Sequence, residues 1–174
     1  METEIIGFGG GCHWCTEAVF QSLKGVVSVA QGYIASNHEN SSFSEGVYID
    51  YNPKTVNLQL LINVHLLTHK STKNHSMRYK YRSAIYTFSQ IQRTKVETIL
   101  VELNKNKGDD YITEVLDIET FKASNEEITN YYYSNPEKPF CKTFINPKLT
   151  LLLKYYSDAV DLDKLSHLKL ALAL

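Results

Sequence analysis

The chain has 174 residues, of which 43% are hydrophobic and 21% charged, and its net charge is −1. This composition is typical of one globular domain and excludes a disordered chain. The near-neutral charge argues against nucleic-acid and membrane partners, and no apolar run has the length of a membrane span. The acidic first four residues lack the basic segment of a secretory signal, so we expect a cytoplasmic protein.

The first half of the chain predicts three strands and two helices. An apolar segment that breaks into Gly9-Gly10-Gly11 is typical of a strand running into a glycine turn. Strict alternation after Gly46 predicts a half-buried strand, and we expect Thr55 to cap the helix that follows. The predicted elements are strands at Ile5–Gly9, Val26–Ile34 and Gly46–Tyr51, and helices at Cys12–Leu23 and from Thr55 through His65.

The second half predicts a basic loop, two more strands and three helices. The long helix is amphipathic, with Ile91, Val96, Ile99, Leu100 and Leu103 expected to face inward. The predicted elements are a loop at Lys70–Lys80, strands at Ser83–Phe88 and Ile112–Ile118, and helices at Ser89–Lys105, Leu149–Tyr156 and Leu162–Leu172. This irregular alternation predicts the α+β class, as a two-layer sandwich in which helices cover a ferredoxin-like mixed or antiparallel sheet.

Cys12 is the candidate nucleophile. Two of the three cysteines form a Cys12-x-x-Cys15 pair, which indicates redox or metal chemistry in a reducing compartment. A thiol reacts as the thiolate, and the unpaired N–H groups of a first helical turn favour that anion. Three preceding glycines allow a substrate to approach the backbone. The alternative is an inert cysteine in a packed helix start.

Several ordered motifs carry a resemblance to one known family. Residues 10–15 read GGCHWC and are followed by EAVF at 17–20; Gly25-Val26, Gly32-Tyr33, YNP at 51–53, YRSAIY at 81–86, NPEKPFC at 135–141 and INPK at 145–148 come later. The chain thereby resembles the peptide-methionine sulfoxide reductase A family, in which the first motif reads GGCFWG or GGCFWC. The likeness spans roughly residues 4–155. We therefore expect a domain of that type over residues 1–156 and a C-terminal helical extension over 157–174.

The resemblance implies a thiol-based reduction. Cys12 would attack the sulfur of the S epimer of methionine sulfoxide, free or in proteins, and become a sulfenic acid. A second cysteine would condense with that acid to a disulfide, which thioredoxin or a similar thiol would reduce. No cofactor or metal is implied.

The resemblance also assigns roles to three side chains and places a fourth, His13, at the substrate position. Glu45, just before a strand, would be the acid that protonates the sulfoxide oxygen; the alternative is a solvated strand-end carboxylate. Tyr81 would hydrogen-bond that oxygen. Trp14 would form the apolar slot for the substrate methyl group, and the alternative is a plain core tryptophan. His13, also at the substrate position, would lower the pKa of Cys12 if protonated, or only line the helix surface.

Two cysteines are candidates for resolving the sulfenic acid. Cys141 matches the distal resolving position of the family, on a proline-rich segment able to swing inward. Cys15 is closer in sequence, but from one helical turn below its thiol is expected to point toward the core. We favour Cys141.

The chain departs from the family pattern around the reactive cysteine. His13 replaces a phenylalanine, Ser76 replaces an aspartate, and Phe43 stands where a second oxygen-binding tyrosine would be. His65-Leu66-Leu67-Thr68 replaces HDPT, and Ile128 replaces a histidine. Losing one hydrogen-bond donor to the charge that develops in a transition state lowers the rate by a factor of about 10²–10³.

Two other functions are compatible with the cysteine pair. The first is a non-reductase relative that acts as a thiol redox sensor or metal-binding module through Cys12, His13, Cys15 and His75. The second is a thioredoxin-type disulfide exchanger that uses Cys12 and Cys15 alone.

Overall fold

One six-stranded sheet organises the chain in a computed structural model that describes residues 2–105 and 110–168. The strands lie in the order β5-β4-β1-β3-β2-β6; β4 and β5 are parallel and the other pairs are antiparallel. Their bounds are β1 Glu4–Gly9, β2 Val26–Ala35, β3 Ser44–Tyr51, β4 Ala84–Thr87, β5 Glu114–Asp117 and β6 Thr120–Ala123.

Helices cover one face of this sheet and enclose the main core with it. Phe8 pairs with Val47 on one side and Ile85 on the other, so these three side chains point to the same face. They are fully buried in one cluster with residues of α1, α2, α3 and α5. The helices are α1 His13–Gln21, α2 Leu58–Thr68, α3 Gln90–Lys105, α4 Tyr131–Ser134 and α5 Asn146–Tyr155. The predicted α+β fold with a mixed sheet is thus confirmed.

The opposite face of the sheet carries a smaller apolar cluster. Tyr86 and Ile34 are buried there, and Tyr48 stacks on Phe121 with ring centroids 4.1 Å apart. Phe121 belongs to β6, a strand that the sequence analysis did not predict. Its four residues form an edge strand in which only Phe121 is partly buried, so the hydrophobic alternation is too weak to recognise.

Two local predictions on helices were wrong. Ile91 is 73% exposed rather than inward-facing. It precedes the buried Val96 by five residues, which turns it about 140° around α3 from the core-facing side. At the start of α2, Asn57 and not Thr55 is the cap, because the Asn57 side chain accepts a hydrogen bond from the Leu60 N–H at 2.8 Å.

The turn between β1 and α1 is held from outside by three side chains. The buried His65 contacts the Gly9 carbonyl through Nε2 at 2.7 Å, and Arg78 donates to the Gly10 carbonyl at 3.1 Å. A Cβ atom at Gly10 would lie 2.5 Å from the His69 ring, so glycine is required for this close approach. The turn therefore has one defined path into α1.

The segment after α5 returns to the core. Val160 forms an isolated bridge with Leu23, and Leu165 and Leu168 are buried. Of the helix predicted over Leu162–Leu172, residues 162–165 form a turn, 166–168 are helical, and 169–172 lie outside the described residues. The division of the chain after residue 156 stays a prediction. None of the described helices combines the length and apolarity needed to cross a membrane.

We predict that acid destabilises the protein through His69. Burial lowers the pKa of His69 to about 4 from its ordinary 6.5. The unfolded chain therefore binds a proton that the folded chain rejects, so stability is intact above pH 6.5 and falls as the pH drops toward 4, by at most about 3 kcal/mol from this group. Urea unfolding at a series of pH values measures this, and the loss should be smaller in His69→Gln. Equal pH slopes for both proteins would contradict the assignment.

Candidate active site

Cys12 caps the N-terminus of α1 and is partly exposed. Its carbonyl accepts hydrogen bonds from the N–H groups of Cys15 and Thr16, both at 3.1 Å, which start the helix. The thiol thus lies beside the first helical turn, where free N–H groups and the helix dipole favour an anion.

A second thiol stabilises the first as an anion. A hydrogen bond from Cys15 lowers the pKa of Cys12, as do the backbone N–H groups of Trp14 and Cys15, while burial and the charge of Glu45 raise it; the net shift is downward. The same hydrogen bond and burial raise the pKa of Cys15. Cys12 is therefore the more readily ionised thiol of the pair, as a nucleophile requires.

Glu45, at the start of β3, extends its carboxylate toward the same helix start. Oε2 accepts the backbone N–H of His13 at 3.0 Å, and Oε1 lies 3.4 Å from the Lys80 ammonium. The residue is only 6% exposed, so it is not the solvated strand-end carboxylate of the alternative interpretation. Because His13 directly follows Cys12, the hydrogen bond from the His13 N–H holds the carboxylate at the helix start that carries the thiol.

His13 is buried between β2 and Glu45. Its Nδ1 lies 3.1 Å from the Gly32 carbonyl, which can only accept, so Nδ1 carries a hydrogen. Nε2 faces Glu45 Oε2 at 3.8 Å, and the ring meets Tyr33 edge-on at 5.3 Å. The structure thus excludes a His13 side chain on the helix surface.

Tyr81 lies near Glu45 because hydrogen bonds join the start of β3 to the segment that precedes β4. The Glu45 N–H donates to the Lys80 carbonyl at 2.9 Å, and the Ser44 hydroxyl both donates to that carbonyl and accepts from the Arg82 N–H. Arg78 donates to the Tyr81 carbonyl at 3.0 Å. These hydrogen bonds to the backbone of residues 80–82 hold Tyr81 at the cleft.

Trp14 forms an aromatic wall with two later residues. Its ring stacks on Tyr131 with centroids 4.0 Å apart and planes within 4°, and Phe140 meets it edge-on at 5.4 Å. Tyr131 and Phe140 are thus partners of Trp14 that the sequence could not assign. Trp14 lines the cleft and is only partly buried, so it is not a plain core residue.

Glu17 positions that wall from behind. Its buried carboxylate accepts the N–H groups of Asn130 at 2.8 Å and Tyr131 at 3.3 Å, and the Gln31 side chain at 2.9 Å. A carboxylate that satisfies several donors ties a loop firmly to a helix. This gives the glutamate of the EAVF motif a structural role that the sequence analysis did not identify.

The third cysteine, Cys141, is separate from this cleft. It is fully buried in a π-helical turn, Cys141–Ile145, and its thiol lies 3.7 Å from the Asn135 carbonyl. Burial raises the pKa of Cys141. The residue therefore needs a local rearrangement before its thiol can reach Cys12.

A cleft of about 550 Å³ joins most of the predicted residues. Cys12, Cys15, His13, Trp14, Glu45 and Tyr81 all line it, together with Gly10 and Gly11 of the predicted turn and with His75. The lining also includes residues that the sequence analysis did not single out, namely His69, Lys70, Met77, Lys80, Phe140, Phe144 and Lys148. Cys141 is absent from the lining, and Phe43 and Ser76 are exposed away from it. Among residues 2–105 and 110–168, no three His, Cys, Asp or Glu side chains are grouped to hold a metal, which disfavours a metal-binding module.

Comparison with known proteins decides the family. The family model described as peptide methionine sulfoxide reductase matches residues 4–159. The chain belongs to this family. A peptide methionine sulfoxide reductase MsrA from Acinetobacter baumannii is 34% identical over 171 residues, covering 90% of this chain and 96% of that relative. One from Trichodesmium erythraeum is 30% identical, covering 91% and 98%.

Solved members of the family share the fold. The reduced form of Mxr1 from Saccharomyces cerevisiae matches with a TM-score of 0.68 at 21% identity, over 82% of this chain and 91% of that one. Methionine sulfoxide reductase A of Corynebacterium diphtheriae matches with a TM-score of 0.67 at 23% identity, over 77% and 76%. Mxr1 in complex with Trx2 matches with a TM-score of 0.60 at 22% identity, over 72% of this chain and 84% of that one.

We predict that the Cys15 thiol controls the reactivity of Cys12 by donating a hydrogen bond. Cys15→Ala removes the donor, so the pKa of Cys12 should rise and its alkylation near pH 7 should slow several-fold, because less of the thiol is ionised. Cys15→Ser keeps an O–H donor and is the matched control, with alkylation close to that of the unaltered protein. Iodoacetamide labelling between pH 6 and 9, read by peptide mass spectrometry, measures both. Identical profiles for Ala and Ser would refute the hydrogen-bond explanation.

Proposed function

We propose that the protein reduces the S epimer of methionine sulfoxide, free or in proteins, to methionine with Cys12 as the nucleophile. The observation that carries this proposal is a thiol of lowered pKa, lying beside a buried carboxylate and an aromatic wall, in a chain of this family. A redox sensor would not need the cleft, and a disulfide exchanger would not need Glu45. The reductase uses all of them.

The first step transfers oxygen from sulfur to sulfur. The Cys12 thiol loses its proton and attacks the sulfoxide sulfur as the thiolate, while the sulfoxide oxygen takes up one proton from Glu45. The oxygen then leaves the substrate and is retained on Cys12 as a sulfenic acid, while the methionine sulfide is released. One thiol and one sulfoxide thus give one sulfenic acid and one sulfide.

Glu45 is proposed to give a proton to the sulfoxide oxygen, and Tyr81 to donate a hydrogen bond to it. Both line the cleft with Cys12, and Glu45 is held by the His13 N–H and by Lys80. A positioned acid contributes about 10²–10⁴ in rate. The Tyr81 hydroxyl supplies a second donor, and its backbone anchoring next to Glu45 would direct both groups to one oxygen.

Trp14 is proposed to accommodate the substrate methyl group. Its partly buried face lies at the cleft beside Cys12, and its other face is covered by Tyr131. The stack keeps the indole from rotating, so the apolar surface is preformed. His13 would contact the substrate from the part of the cleft where its buried ring adjoins Glu45.

A second thiol then forms a disulfide with the sulfenic acid and releases water. The sequence favoured Cys141, but Cys15 lines the same cleft as Cys12 and its thiol interacts with that of Cys12, which supports Cys15 as the first partner. Residues three apart on a helix lie on the same face, at a separation that a disulfide can span. Cys141 would enter after the burial of its thiol is relieved, and which thiol resolves stays a prediction.

Thioredoxin or a similar dithiol is the proposed reductant of that disulfide. The reductant is oxidised to its own disulfide, and the enzyme recovers two thiols. Mxr1, which shares this fold, has been solved in complex with Trx2. A cytoplasmic location, which would supply such a reductant, stays a prediction from the sequence.

Two variants test the assigned roles. Cys12→Ser should abolish reduction of the S epimer of a blocked methionine sulfoxide with dithiothreitol, because no sulfenic acid can form. Glu45→Gln keeps an acceptor for the His13 N–H but cannot transfer a proton, so kcat should fall by about 10²–10⁴. Glu97→Gln, an exposed carboxylate paired with Arg93 outside the cleft, is the control and should be unaffected. Undiminished turnover by Cys12→Ser, or reduction of the R epimer only, would defeat the proposal.

One equivalent of substrate without reductant should identify the resolving thiol. Mass spectrometry of the unaltered protein should find Cys12 linked to Cys15 or, after a further exchange, Cys15 linked to Cys141. In Cys15→Ser the sulfenic acid should persist long enough to be trapped by dimedone, whereas Cys141→Ser should still form the Cys12–Cys15 disulfide. Rapid linkage of Cys12 to Cys141 in Cys15→Ser would instead establish Cys141 as the direct partner.

A further inference from the structure

The cleft carries an excess of positive charge that the reaction does not require. We name Lys70, Lys80 and Lys148, which all line it, the basic rim. Among residues 2–105 and 110–168, Glu45 is the one acidic residue in the lining. The whole chain has a net charge of −1, so this cationic surface is a local feature and not a reflection of overall composition.

Two of the three rim lysines have local roles. Lys80 lies 3.4 Å from Glu45 and above the Tyr81 ring at 5.1 Å. Lys148 donates to the Thr68 carbonyl, and its charge lowers the pKa of Cys15. Lys70 differs, because it is exposed and no ion-pair partner for its ammonium exists in the described part of the chain.

The charges at the Lys70 end repel one another. Burial lowers the pKa of Lys148, and the charge of Lys70 lowers it further. The pKa of His75 is lowered by loss of solvation and by Arg78 and Lys70. An anion bound at this end would relieve the repulsion, and clefts that concentrate one sign of charge attract the opposite sign.

The cleft is large enough for more than one side chain. Its volume of about 550 Å³ falls in the range of roughly 300–1,000 Å³ that holds drug-sized ligands. Met77 and Phe144, which are 39% and 54% exposed, add apolar surface to its lining. A peptide could therefore insert the sulfoxide side chain toward Cys12 while a neighbouring residue contacts the outer part of the cleft.

We propose that the cleft selects methionine sulfoxide within peptide segments that carry an acidic residue next to it, whose carboxylate pairs with Lys70 of the basic rim. This inference rests on the proposed function, because the peptide is taken to be the substrate of Cys12. The complementary charges supply the specificity, and the sulfoxide supplies the chemistry. Such contacts act chiefly on capture of the substrate.

Peptides of one length test the charge preference. Each is acetylated and amidated, contains one methionine sulfoxide, and has Asp, Gly or Lys on either side of it. At low ionic strength kcat/KM should be about tenfold higher for the Asp peptide than for the Lys peptide, and near 1 M salt the difference should largely vanish, because exposed pairs are weak and screened. Lys70→Glu should reverse the order of the Asp and Lys peptides. Lys95→Glu, the same charge change on the exposed face of α3, should preserve it.

Binding to Cys12→Ser separates this inference from the proposed reaction. Titration calorimetry with the same peptides should show that the Asp peptide binds more tightly than the Lys peptide. If this binding preference is found but the unaltered protein does not reduce the sulfoxide, only the proposed function fails. Equal binding and turnover of the Asp and Lys peptides would overturn the inference. A preference for the Asp peptide that survives Lys70→Glu would also overturn it. So would a charge preference seen only when N-acetyl methionine sulfoxide with a free carboxylate is compared with its amide, since the anion would then be the carboxylate of the substrate residue itself.

Discussion

The chain reversal at Gly9–Gly11 is the constraint on which the rest of the site depends. It delivers Cys12 to the first turn of α1 at the end of a buried strand. His65 and Arg78, from two different parts of the chain, hold the carbonyls of Gly9 and Gly10. Since a helix offers unpaired N–H groups only in its first turn, a shift of this reversal by one residue would remove the thiol from the groups that stabilise its charge.

The pKa of Cys12 depends on effects that oppose one another. The Cys15 hydrogen bond favours the thiolate, whereas Glu45 and burial oppose it. A site that placed Glu45 nearer without the second thiol would suppress its own nucleophile. Cys15 therefore has two uses in the proposed cycle, first as the donor that keeps Cys12 reactive and then as the thiol that condenses with it.

Much of the fold followed from sequence patterns with a strong physical signal. The alternation after Gly46 and the glycine turn before Cys12 gave strands and a helix close to those observed, because each side-chain period matches one backbone geometry. Weak signals failed. The strand at Thr120–Ala123 has only one partly buried residue, so it shows no clear alternation. Ile91 is apolar like the core-facing residues of α3, but it lies on the side of the helix that faces solvent.

The sequence by itself identified the family, the candidate nucleophile and its place at a helix start, because these depend on short motifs that can be read along the chain. Only the tertiary structure decided that Glu45 and Tyr81 adjoin Cys12, that Tyr131 supports Trp14, that Cys141 is buried, and that Lys70 and Lys148 line one cleft. These relations join residues tens of positions apart. Strand register and the burial of each side chain set them, and neither can be read from local periodicity.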